Sequence, residues 1–174
     1  MKLTLTVNSG THDVDVEPRR LLADVLRQDL GFYGVHLGCE HGVCGACTVL
    51  VDGKPVRSCL MLAAMAEGHE VTTVEGLGTP ENPHPVQEAF SEAHGLQCGF
   101  CTPGFVVTVS DLAQRSAEMS DAEVREELSG NICRCTGYVN IVKAVRVAEQ
   151  KLCAVGACAG PCAPSAADST TEAS

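Results

Sequence analysis

The cysteines constrain this chain before anything else does. Eleven occur among 174 residues, and eight of them fall into two sets. The segment "CEHGVCGACTVLVDGKPVRSC" places Cys39, Cys44, Cys47 and Cys59 within residues 39–59. The segments "QCGFCTPG" and "NICRCTGY" supply Cys98, Cys101, Cys133 and Cys135. Four thiols on so short a loop fit a disulfide staple, a zinc site or an iron–sulfur cluster. No secretory apolar core and no run of about 20 apolar residues is present, so a cytoplasmic chain without membrane insertion is expected. Thiols stay reduced in that compartment, which favours metal over disulfides, and an odd cysteine count suits full pairing poorly.

Spacing separates the metals. The first set reads C-x4-C-x2-C-x11-C, and its first three members match the plant-type [2Fe–2S] spacing with a distant fourth cysteine. Structural zinc usually takes two C-x2–4-C knuckles. Cys44 and Cys47 make one knuckle, but Cys39 and Cys59 do not make another. His41 invites a Rieske reading, yet with four cysteines present it reads as an exposed or supporting residue. Gly38, Gly42 and Gly45 are expected to allow positive φ and close backbone approach, so that peptide N–H groups point at the sulfurs.

The second set, C-x2-C-x31-C-x-C, suits no common zinc finger, and a C-x-C pair grips a single tetrahedral ion awkwardly. Two irons share such ligands more easily. An iron–sulfur reading also expects helix N-termini at Pro103 and Gly137 to face an anionic centre. Arg134, between two cysteines, would act in the same sense or simply be solvated. The third set, Cys153, Cys158 and Cys162, lacks a fourth partner and reads as free tail thiols.

Periodicity places these sets on an α+β frame. "LTLTV" and "DVDVEP" alternate as strands around an "NSG" turn, and Pro18 suits the start of a helix ending at Gly31. Leu21, Leu22, Val25, Leu26 and Leu30 give that helix an apolar face. Strands flank Asp52-Gly53, a strong hairpin signal, and "HEVTTVEGLG" reads as one more strand. Beyond a Pro-rich connector at 78–86 come four helix-like segments, near 84–94, 103–115, 120–129 and 137–152. Ser120 and Glu123 form a capping-box pattern, and Ile141, Val142, Val145 and Ala148 form an apolar stripe. The expected division is a mixed-sheet domain over 1–78, a helical domain over 79–153, and a disordered tail over 154–174.

Charge excludes one class of partner. With 22 acidic against 12 basic residues the net charge is −10, and no basic stripe exists for nucleic acid. No Ser–His–Asp set, paired carboxylate motif or phosphate loop is evident; "GVCGAC" lacks the Lys and Ser/Thr of a P-loop.

Taken together, "GCEHGVCGACTVLVDGKPVRSCL", "QCGFCTPG" and "GNICRCTGYVNI" closely resemble the iron–sulfur subunit of the molybdenum hydroxylases. That group includes xanthine dehydrogenase, aldehyde oxidoreductase and aerobic carbon monoxide dehydrogenase. The resemblance spans about residues 3 to 152. It implies an N-terminal β-grasp, plant-type [2Fe–2S] ferredoxin domain, followed by an all-α four-helix domain holding a second [2Fe–2S] cluster. It also implies a large molybdopterin-binding subunit and a medium FAD-binding subunit as partners, in a dimer of heterotrimers. Electrons from the molybdopterin centre would pass through the helical-domain cluster, then the ferredoxin-like cluster, to FAD. By the same resemblance Cys39, Cys44, Cys47 and Cys59 hold the flavin-side cluster, and Cys98, Cys101, Cys133 and Cys135 the molybdenum-side one. Gln97 would contact the pterin, and Cys135 would lie nearest to it. The chain would be part of an oxidoreductase with no substrate site of its own. A free-standing two-cluster ferredoxin and a zinc-stabilised interaction module remain the competing readings.

Overall fold

The computed structural model describes residues 1–156. Two short hairpins supply four of its five strands. In β1 (Lys2–Val7), Leu3, Leu5 and Val7 point inward and Lys2 and Thr4 outward, the period-two pattern of a half-buried strand. Asn8 and Ser9 both take positive φ and return the chain as β2 (Gly10–Asp15). Because this turn uses only two residues, β2 starts earlier than the sequence pattern suggested, with Gly10 paired to Val7. The second hairpin joins β3 (Thr48–Val51) to β4 (Lys54–Arg57) through Asp52 and Gly53, again both at positive φ. With β5 (Glu70–Thr72) the sheet order is β2-β1-β5-β3-β4, and only the β1–β5 pair is parallel.

The helix expected from Pro18 begins later. Leu22 N–H donates to Met61 O and Ala63 N–H to Arg20 O, so residues 20–22 are held extended against the 61–63 segment. Only then does α1 (Leu22–Asp24) form, and it widens at once into a π-helical turn over Val25–Asp29. Leu22, Ala23, Val25 and Leu26 are buried with Leu3, Leu5, Val7, Val49 and Val71 in one core. The strand expected over 69–78 also stops short. Asn8 takes both the N–H and the hydroxyl of Thr73 as partners, and α2 (Val74–Leu77) follows.

Helices α3 (Pro85–Glu92), α4 (Thr102–Leu112), α5 (Asp121–Glu127) and α6 (Val139–Ala154) make the second layer. The anticipated stripe of Ile141, Val142, Val145 and Ala148 is buried, together with Phe90, Phe105 and Leu128. Ser120 and Glu123 cap α5 reciprocally. Among the described residues, no helix is long and apolar enough to cross a membrane.

Helix α4 packs on β3 and β4, which brings the two halves into direct contact. A Cβ on Gly104 would lie 2.3 Å from Gly45 O, so only glycine permits that approach. This seam decides where the cysteines meet.

Candidate metal centres

The β3–β4 hairpin pairs Thr48 with Arg57, which carries Ser58 and Cys59 back beside Cys47. Ser58 fixes the return by donating both its N–H and its hydroxyl to Cys47 O. Cys47 and Cys59 are both buried. Burial, then the shared hydrogen bond with Cys47, pushes the Cys59 thiol up to about 11. Cys39 and Cys44 lie on the outer part of the loop. Cys39 Sγ accepts from Cys44 N–H at 3.3 Å and from His41 N–H at 3.4 Å. Those backbone donors, Cys44's first, bring its thiol down to about 6. The His41 ring itself is exposed, as the sequence suggested. Gly42 and Gly45 take the expected positive φ. Gly38 does not; a Cβ there would stand 3.2 Å from Cys44 Sγ, a tight contact that the sulfur would have to ease.

The second quartet assembles on the helical half. Cys98 and Cys135 are exposed, with their sulfurs 3.6 Å apart. Cys101 and Cys133 form the inner pair. Burial, then the hydrogen bond shared with Cys133, pushes Cys101 up to about 12. For Cys133 burial acts upward, but hydrogen bonds from the Thr136 hydroxyl and amide, the Cys135 amide and Cys101 together outweigh it and the thiol is lowered. The Cys135 thiol is raised, chiefly by its hydrogen bond with Cys98. Cys101 is the N-cap of α4, so the positive end of that helix sits at the thiols as anticipated. Helix α6 begins after Tyr138, two residues beyond Gly137, because Gly137 and Tyr138 both take left-handed φ.

The eight thiols therefore meet as four pairs: 39 with 44, 47 with 59, 98 with 135, and 101 with 133. Two thiols for each of two metals per quartet is the division a binuclear cluster asks for, and a single zinc asks for four sulfurs around one point. The donor set thus fits two [2Fe–2S] clusters.

The comparisons with known proteins point the same way. A model of the 2Fe-2S iron-sulfur cluster binding domain matches residues 5–74, and one of the [2Fe-2S] binding domain matches residues 73–146. The beta subunit of the 6-hydroxypseudooxynicotine dehydrogenase complex of Paenarthrobacter nicotinovorans is 56% identical over 144 residues, covering 82% of this chain and 90% of that one. The chain belongs to the iron–sulfur subunits of the molybdenum hydroxylase family. The caffeine dehydrogenase subunit gamma of Pseudomonas sp. (strain CBB1) is 52% identical and covers 83% of this chain and 88% of its own. Quinoline 2-oxidoreductase from Pseudomonas putida 86 superposes with a TM-score of 0.81 at 47% identity, over 87% of this chain and 95% of that chain. Aldehyde oxidoreductase from Desulfovibrio gigas gives the same TM-score at 45% identity, but the match takes in only 17% of its larger polypeptide. Like the family, the chain carries two [2Fe–2S]-binding domains, a β-grasp followed by helices.

Other residues stand as follows. Gln97 is exposed on the loop before Cys98, and Arg134 is exposed between Cys133 and Cys135. Cys153, expected as a free thiol, is disulfide-bonded in the last turn of α6. The free-thiol expectation rested on the set's lacking a fourth member, which does not preclude a disulfide. Cys158, Cys162 and most of the tail expected to be disordered lie outside the described residues.

Sequence reasoning missed the polar seam between the quartets. Asn131, 2% exposed, donates from Nδ2 to Gly45 O at 3.2 Å. Its Oδ1 accepts from Thr108 Oγ1 at 3.1 Å and from Arg57 Nη2 at 3.4 Å. Arg57 also reaches Gly130 O and Thr48 Oγ1, each at 2.6 Å. Phe100 stacks on His36 at 5.0 Å between centroids. The only sequence signal for these residues was closeness to a cysteine, and that does not say what they touch.

Proposed function

We propose that this chain is the electron-relay subunit of a molybdenum hydroxylase, carrying electrons from a molybdopterin centre in a large subunit to FAD in a medium subunit. The observation that carries the reading is a single hydrogen bond. Ile132 N–H donates to Cys44 O at 2.9 Å. Cys44 belongs to one quartet and Ile132 precedes Cys133 of the other, so a short bonded run joins thiol to thiol across the seam.

Cys39, Cys44, Cys47 and Cys59 would hold one [2Fe–2S] cluster and Cys98, Cys101, Cys133 and Cys135 the other; such clusters supply one-electron exchange when bound. The residues of this chain hold and bias them. Peptide N–H groups at His41 and Cys44 favour the thiolate of Cys39, and the N-terminus of α4 favours negative charge at Cys101. Exposed apolar residues accompany both quartets: Val43 and Leu60 beside the first, Leu96, Ile132 and Val139 beside the second. The exposed Cys98–Cys135 pair and Gln97 make the second surface the one suited to the molybdopterin subunit, with Cys135 and Gln97 toward the pterin. The first surface is then left to the FAD subunit, in a dimer of heterotrimers in the cytoplasm. Substrate choice would rest with the large subunit.

The test is low-temperature EPR of the dithionite-reduced protein, with iron measured on the same sample and co-purifying chains identified. Two distinct signals, about four irons per chain and two larger partners are expected. A colourless sample containing zinc would overturn the cluster assignment. Recovery as a lone, active 18.2 kDa electron carrier would overturn the subunit reading in favour of a free-standing ferredoxin.

A further inference from the structure

The short turn after Cys133 holds a hydroxyl whose hydrogen-bonding direction is fixed. Thr136 Oγ1 lies 3.2 Å from Cys133 Sγ and accepts the N–H of Tyr138 at 3.1 Å. An N–H can only donate, so that contact occupies a lone pair and leaves the hydroxyl proton for the sulfur. Tyr138 is itself pinned. Its backbone takes a left-handed φ of 67°, its OH accepts from Cys133 N–H at 3.0 Å, and it donates to Asn131 O at 3.3 Å. The turn from Cys133 to Tyr138 is thus closed by side chain and backbone together, and Thr136 has little freedom to turn its proton elsewhere.

We propose that Thr136 is a positioning residue that raises the reduction potential of the helical-domain centre by donating its hydroxyl proton to Cys133 Sγ; this rests on the reading of Cys133 as a cluster ligand. Added electron density on a cluster is shared with its cysteine sulfurs, so a donor to such a sulfur stabilises the reduced state more than the oxidised one. Cys133 is only 8% exposed. In so dry a setting a hydrogen bond counts for more than it would in water.

The experiment is an EPR-monitored redox titration of the assembled complex carrying Thr136→Val, beside wild type and Thr136→Ser. Valine keeps the shape of the side chain and removes the donor. The expected result is a more negative midpoint for one of the two signals, an unmoved midpoint for the other, and restoration by Thr136→Ser. Two signals with both midpoints unmoved would overturn the proposal and leave the ligand reading intact. A wild-type sample with one cluster or none would instead sink the ligand reading. Should Thr136→Val lose the cluster, Thr136→Ala titrated in the same way decides, with an unmoved midpoint again overturning the proposal.

Discussion

Replacing Asn131 with Ala tests whether the seam between the two halves depends on one side chain. The change removes the bond from Nδ2 to Gly45 O and the bond from Thr108, along with the longer contact from Arg57. None of the partners is left bare. Gly45 O still accepts from Thr48, Thr108 still reaches Gly104 O, and Arg57 keeps Gly130 O and Thr48. Thr108 divides its one hydroxyl proton between Asn131 Oδ1 and Gly104 O, so the cost is that of one full buried hydrogen bond, one shared, one weak and a small void, about 2 kcal/mol in all. It should fall on local opening of the seam, because the cores on either side stay intact. Hydrogen exchange followed by mass spectrometry reads this directly at the peptide containing Ile132, whose N–H is bonded to Cys44 O. Its exchange should accelerate roughly 30-fold, while β1, paired on both sides away from the seam, should not change. Thr108→Val, which loses one of the same bonds, should cost about 1 kcal/mol and should add less than independently to Asn131→Ala. Unchanged exchange around Ile132 in Asn131→Ala would refute the claim that this amide holds the halves together.

Two further outcomes are expected. Cys44→Ser should remove one EPR signal and leave the other, since each thiol quartet is complete on its own half; retention of both signals would contradict the ligand assignment. In the metal-free chain the lowered Cys39 thiol is ionised above about pH 6, so its alkylation should be fast at neutral pH and fall away as the pH drops through that value. Cys101, pushed up to about 12, should stay protonated and react slowly across the same range. Equal labelling of the two would show that the loop does not hold this geometry without metal.

What the sequence revealed and what it hid divide along a physical line. Features carried by neighbouring residues were legible. The four-residue gap from Cys39 to Cys44, the two-residue turn at Asp52-Gly53 and the stripe from Ile141 to Ala148 are all local, and local spacing dictates them. The misreadings came where distant backbone intervened. Nothing in "RRLLADVL" reveals that Arg20 and Leu22 are bonded to residues 61–63, and those bonds delay the helix that Pro18 promised. Nothing in "EVTTVEGLG" shows that Asn8 will claim Thr73 and end the strand. The seam is the extreme case, since Gly45, Arg57, Gly104 and Asn131 carry no shared pattern and meet only once both halves have folded.

That meeting bears on why the two halves belong to one polypeptide. The segments 39–47 and 131–135 hold no helix or strand, and surface loops of that kind are ordinarily the mobile parts of a fold. Here each is packed against the other. Gly45, Ala46 and Asn131 are all covered, and a Cβ on Gly45 would strike both the Asn131 amide and Gly130 O at 2.6 Å. So the loop that carries one set of thiols is part of the wall that holds the other. Electron exchange between two centres falls off steeply with separation, and a linker between independent domains would let that separation wander. On the proposed relay, a contact placed at the thiol loops themselves would fix the distance on which electron exchange depends.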